Sequence, residues 1–525
     1  VSGTVLEIQT NDKVNNNIMA ADAGSQLDIE NITVFQDGEG LGGTLLANEG
    51  NIRLYNATIQ GGQYLAVGAG VLNTASGSSL LSGVTLNGPS FINAGHTITV
   101  DADGLVNNGL MQMNTTGSSA DAILLFTDDT DLTGTGEIRM RTAFFNTQIV
   151  SDLGFTVNHT ADHTIRGVGN IYAAMDNQGT VIADSSVSVS GNVLVIEGQD
   201  KTNSGVMSAL SSSILELTTM NLTQTGAGHS LADEGLVRFI GSSTLTGGRI
   251  EASGAGSFIV DGPATFVDVT NNAPGVVNGG DTLTVSGDGL VNNGFVSVNP
   301  NQFSADGIIA FPADGFFNTA GGGEVRLEAD FGNSQIDGPG IVTNGPGHTI
   351  SGLGTIDTEF VNDGIIAPGK DAIGTLDASG DVTFGAGGSM TIEVGNANQS
   401  DRFAITGTAN LGGTLDVVTI PAFEIGNQID YTILTAGNVV GTFDTENLIV
   451  DGNLITRILY EPTQVRLVTR CIADVNLDGM VTPTDFTAWV GAYNTSNPVA
   501  DQNLDGMVTP TDFSAWVGNF NAGCP

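Results

Sequence analysis

Asp474, Asn476, Asp478, Met480, Thr482 and Asp485 stand at positions 1, 3, 5, 7, 9 and 12 of a 12-residue stretch whose sixth residue is Gly479. Asp501, Asn503, Asp505, Met507, Thr509 and Asp512 repeat the pattern 27 residues later around Gly506. Calcium takes about six to eight hard oxygen ligands, and a loop with this spacing supplies them from carboxylates, a carboxamide, a hydroxyl or its water, and the position-7 carbonyl, while glycine permits the sharp turn. The two stretches are therefore expected to hold two calcium ions.

The residues after each loop begin a helix. Thr482 can cap it, Pro483 suits its first position, and Asp485 three residues after the cap completes a capping-box-like pattern. Phe486, Trp489, Val490 and Tyr493, like Phe513, Trp516, Val517 and Phe520, recur at helical spacing, so these faces are expected to pack together with both tryptophans in the core. The chain's two cysteines, Cys471 and Cys524, bracket this module. Their placement predicts a clasp disulfide, closing a loop of about 53 residues for on the order of 4 kcal/mol, and with it an oxidising, extracytoplasmic compartment.

The text before the module is written twice. GTVLEIQTNDK from Gly3 returns as GNVLVIEGQDK from Gly191, LANEGNIRL from Leu46 as LADEGLVRF from Leu231, and TITVDADGLVNNG from Thr97 as TLTVSGDGLVNNG from Thr282, at offsets of 185 to 188 residues. Short runs rich in Thr, Val and Ile, such as Thr97–Val100 and Val193–Ile196, alternate with turns ending in Gly50, Gly109, Gly179, Gly235, Gly294 and Gly364. Such runs are strands, and the glycines are expected to supply positive φ. Many short strands, few aromatics and long-range self-similarity predict an all-β fold, a parallel β-helix (β-solenoid) built from a tandem duplication around an aliphatic interior. Copy 1 covers 1–188, copy 2 covers 189–370, a solenoid cap covers 371–470, and the small α-helical calcium module covers 471–525.

Beyond Gly352 an Ala367-Pro368-Gly369 turn, a Gly374-Thr375-Leu376 strand, a Ser400-Asp401-Arg402 turn and a Gly413-Thr414-Leu415 strand follow in order. This stretch resembles the C-terminal passenger region of autotransporter-type β-helical surface proteins. The resemblance implies a right-handed parallel β-helix ending in a stabilising cap, in a secreted or surface setting. No membrane β-barrel sequence follows Arg470, so export is expected to use other machinery. The duplicated module resembles a type I dockerin, an EF-hand-like domain without the incoming helix. That resemblance implies a cohesin-like or matrix partner, met through loop positions 10 and 11, here Pro483 and Thr484, and Pro510 and Thr511, where Ser-Thr is commoner.

The 525 residues include 56 acidic and 14 basic side chains, a net charge of −42. A surface so poor in Lys and Arg does not neutralise phosphates, which excludes nucleic acid and anionic membrane surfaces as partners. No apolar run reaches the roughly 18 residues of a bilayer span. The chain opens directly in an alternating segment and reads as a mature or trimmed product, extracellular or at the cell surface.

A polysaccharide lyase or hydrolase on such a scaffold needs paired carboxylates, or a carboxylate and a base, in one cleft. The basic residues instead recur in both copies, Lys13 with Lys201, Arg53 with Arg238 and Arg139 with Arg326. They read as coil chemistry, local ion pairs with Glu49, Glu234, Glu137 or Glu324. His163 and His348 are also copy-equivalent. Catalytic residues should break the repeat, and none is assigned. The expected function is an exported, calcium-binding structural rod. It self-associates head to tail through the open edge of its first coil into an extracellular fibre, or serves as a surface adhesin or matrix component. A dockerin-anchored polysaccharide-degrading enzyme and a monomeric glycan-binding adhesin are the alternatives. Two ions offset the net charge of −42 by only four, so assembly is expected to draw on calcium beyond the module.

Overall fold

A computed structural model describes residues 4–36, 42–143, 146–318, 322–330, 332–395, 399–420, 429–448 and 454–523. The fold is mostly parallel β, a β-solenoid of about 18 turns, with two helices near the C-terminus. Gly3 and Cys524 lie outside the described residues.

Alternation makes the strands. In Asn51–Tyr55, Ile52 and Leu54 are buried while Asn51, Arg53 and Tyr55 stand on the outer face, and Glu137–Arg141, Leu236–Ile240 and Ser389–Val394 repeat the arrangement. Each strand pairs in parallel with the strand one coil later, Val5 with Gln26, Gln26 with Asn51, and Asn51 with Val71. The register is kept although these coils take 21, 25 and 20 residues, because the differences fall in the turns.

The turn glycines have a different reason from the expected one. Positive φ falls on the preceding residue, Glu49 at 57° and Glu234 at 58°. A Cβ on Gly50 would lie 2.4 Å from the Ala21 carbonyl oxygen, and one on Gly235 2.4 Å from that of Leu210. Close approach of the neighbouring coil's backbone is what requires glycine there.

The chain divides into two compact units, Val1–Leu290 and Val291–Pro525. The division falls inside the second sequence copy; a solenoid coil touches only its neighbours, so compactness need not follow the duplication. The first unit is filled by aliphatic residues such as Leu54, Leu124 and Ile138, with a Phe239, Phe258 and Phe266 cluster near its end. In the second unit, parallel stacking gives way to an antiparallel hairpin. Leu454–Glu461 pairs with Gln464–Cys471, which also lies antiparallel to Asp430–Thr435. The Ser-Asp-Arg turn is anchored through Asp401, fully buried, whose carboxylate accepts the Gly374 and Glu393 N–H groups at 2.9 and 2.8 Å. Burial pushes that carboxyl up to about 7. Directly after Cys471 come the first loop, helix α1 (Pro483–Asn494), the second loop and helix α2 (Thr511–Ala522).

Candidate metal centre

The first loop is organised by its own acids. Asp474, 1% exposed, accepts the Asp478 N–H on Oδ1 (3.2 Å) and the Gly479 N–H on Oδ2 (3.0 Å). Asp485, fully buried at the start of α1, accepts Asn476 N–H (3.0 Å) and Thr482 N–H (2.9 Å), so the loop's last ligand position also caps the helix. Leu477 takes the left-handed conformation (φ 63°) ahead of Gly479 (φ 85°), which folds the loop inward. Oxygens of Asp474, Asp478 and Asp485 thereby come within 4.8 Å of one another. Three converging carboxylates with a carboxamide and hydroxyl in the same loop are a hard-oxygen donor set that fits calcium.

The second loop repeats these contacts. Asp501 accepts Asp505 and Gly506 N–H groups (3.2 and 2.8 Å), and Asp512 accepts those of Gln502 and Thr509 (2.9 and 2.7 Å). Among the described residues its three carboxylates do not form an equally tight group. The electrostatics differ too. Burial raises the Asp474 carboxyl above its ordinary value. Burial would also raise Asp512, but the backbone N–H groups of Thr509, Gln502 and Asn503 outweigh it and hold the carboxyl down.

The helices pack as their spacing predicts, with a qualification. Trp489 and Trp516 are buried with Val475 and Ala500, while Phe486, Val490, Phe513 and Val517 remain 37 to 45% exposed. Met480 and Met507, the position-7 residues, also stand outward. Cys471 is fully buried at the end of its strand; its expected partner lies outside the described residues.

The other candidate residues are placed as follows. Arg139 and Arg326 pair with Glu137 and Glu324 on their own strands (2.6 and 3.0 Å). Arg53 and Arg238 reach across coils, to Asp28 at 2.6 Å and to Glu216, instead of to Glu49 and Glu234. Lys201 is buried and donates to the Glu197 and Gln199 carbonyls (2.8 and 2.6 Å), and Lys13 likewise donates to turn carbonyls of Thr10 and Asn11.

His163 and His348 are interior residues. The Asn107 amide donates to His163 Nε2 (3.0 Å), His163 Nδ1–H donates to His159 Nε2 (2.9 Å), His159 Nδ1–H donates to Asn177 Oδ1 (2.6 Å), and the Asn177 amide donates to Asn203 (2.7 Å). All five are fully buried. Burial, which disfavours the imidazolium, pushes His159 down to about 4 and His163 to about 3. His159 and His163 form a His-x-x-x-His spacing that the sequence offered and the histidine assignment missed; His159 is replaced by Asn344 in the second copy.

Comparison with protein-family models and with curated proteins finds no match to this chain.

Proposed function

We propose that the protein is an exported, calcium-binding structural β-solenoid, a surface or matrix component that self-associates into an extracellular fibre. The observation behind this reading is the pair of acid-organised terminal loops, which on this reading form a dockerin-like module closed by a Cys471–Cys524 disulfide. Self-association draws on the net charge of −42, which divalent cations between copies would offset. Calorimetry on the full chain should find two calcium sites, and micrographs and sedimentation should find assemblies in calcium that EDTA disperses. Monomers under both conditions would sink the assembly half of the proposal, and absence of calcium binding the other.

A second reading, polysaccharide hydrolysis, is favoured by one observation. Asp129, Asp131, Asn158 and Asp176 line an open cleft of about 450 Å³. Asp131 and Asp176 break the repeat, since the matching positions are Phe316 and Val361. Release of reducing ends from acidic or plant polysaccharides, abolished by D131N or D176N, would establish it over the structural reading.

A further inference from the structure

The two halves of the terminal module exchange equivalent ring contacts. The Phe486 ring lies 5.1 Å from Trp516 and Phe513 lies 5.7 Å from Trp489, which are the same contact exchanged between halves, and Phe486 meets Phe513 itself at 5.8 Å. A hydrogen bond made by one half only departs from this exchange. Trp489 Nε1–H donates to the Ala500 carbonyl at 3.0 Å. Ala500 immediately precedes Asp501, the first ligand position of the second loop. The exchanged pair is Trp516 and Ala473, the residue just before Asp474. Trp516 is 6% exposed and its indole N–H is enclosed without a partner.

The reason lies in the turn entering the first loop. The Ala473 carbonyl accepts the Val475 N–H (3.1 Å), a tight two-residue closure, and the Asp474 N–H is turned back onto Cys471 (3.2 Å). The neighbouring Ile472 carbonyl is occupied by the Gln502 side chain (2.8 Å). Gln502 stands where the first loop has Val475, so this hold exists on one side of the module only. Ala473 therefore has the carbonyl that matches the orphaned indole, and its orientation is set by the peptide leading into Asp474.

We propose that a divalent cation taken by the first loop draws Asp474 inward and turns the Ala473 carbonyl from Val475 onto the Trp516 indole, so that the first loop governs how α2 is held. The inference rests on the calcium-binding reading of the loops. It makes the first loop the one that sets the module's conformation, while the Trp489–Ala500 bond already holds the second.

The test uses the full chain with ¹⁵N-labelled tryptophan and calcium as the probe. In W489F, which leaves Trp516 as the one indole, the N–H proton should move downfield on calcium addition. That shift should vanish in D474N and persist in D501N. Calorimetry should find that W516F weakens one of two sites about three- to tenfold, the equivalent of one net hydrogen bond, and leaves the other unchanged. An unmoved indole with two ions bound overturns the proposal. So does a shift that follows D501N, or unaltered affinities in W516F, which needs neither loop variant to fold. If the wild-type chain binds no calcium, the reading of the loops falls with it, and calorimetry on that chain alone distinguishes the two failures.

Discussion

The two sequence copies put a buried histidine at the same place and surround it differently. In the first unit His163 Nδ1–H donates to a second imidazole, His159, whose own Nδ1–H donates to Asn177. In the second unit His348 accepts from Asn292 (3.0 Å) and donates to Asn344 (2.7 Å), whose amide continues to Asn362 (2.8 Å). The chain of donors runs in one direction in both. What changes is the partner's bulk and its capacity to take a proton. His159 is registered beside Leu132, whereas Asn344 is registered beside Phe317, whose ring stacks on His348 at 5.2 Å. The larger residue has moved from one strand to its neighbour, so the interior stays filled.

Breaking the chain at the shared histidine should have the largest effect. H163L leaves the Asn107 amide and His159 Nε2 buried without partners, and should cost about 3 to 5 kcal/mol of local stability, since each orphaned buried group costs roughly 1 to 3 kcal/mol. Hydrogen exchange of the Thr156–His159 and Thr164–Ile171 strands should report the loss. H348L should produce a loss of the same order in the second unit. Unchanged protection in either variant would show that these hydrogen bonds do not hold the coil.

Acid should separate the copies next. Each buried imidazole titrates below its ordinary value near 6.5, at about 4 for His159 and His348 and about 3 for His163. The folded state therefore binds fewer protons than the unfolded chain below pH 6.5. The stability that neutral imidazoles contribute is complete above that pH and is lost as pH falls toward the folded values. At pH 5 the loss is about 2 kcal/mol per imidazole. The first unit has two such groups in one chain and the second has one. Exchange corrected for its intrinsic pH dependence should show protection around His163 falling about twice as steeply, in free energy, as around His348. Equal slopes would mean the pair takes up one proton between them.

The sequence made some of this legible and hid the rest for physical reasons. Strand alternation and the duplication suffice for the solenoid, because inward and outward faces follow from residue parity alone. Glu137 with Arg139 could be read as a pair because two residues along a strand share a face. Arg53 with Asp28 and Arg238 with Glu216 could not, because their registers depend on coil lengths that only the turns decide. The acid-organised loops are local, and the helix-capping role of Asp485 was legible from its spacing to Thr482. The orphaned Trp516 N–H and the turn-anchoring Asp401 were not, since each depends on which backbone groups the fold brings around a buried side chain.

The smallest effect at neutral pH is also the most discriminating. H159N alone rewrites the first copy as the second, and its amide can accept from His163 and donate to Asn177 as Asn344 does between His348 and Asn362. Polarity is conserved, so the loss should be only the volume term, about 1 to 2 kcal/mol, for an imidazole replaced by a carboxamide beside Leu132. L132F alone should cost a similar amount by overpacking against His159. Together they recreate the Phe317 and Asn344 arrangement, and the double variant should be more stable than the sum of the single changes by about 1 kcal/mol or more, because the two residues are registered neighbours. It should also lose half of the acid response, having one imidazole where there were two. Additive single-variant losses would mean that the two copies reached the same backbone by independent packings.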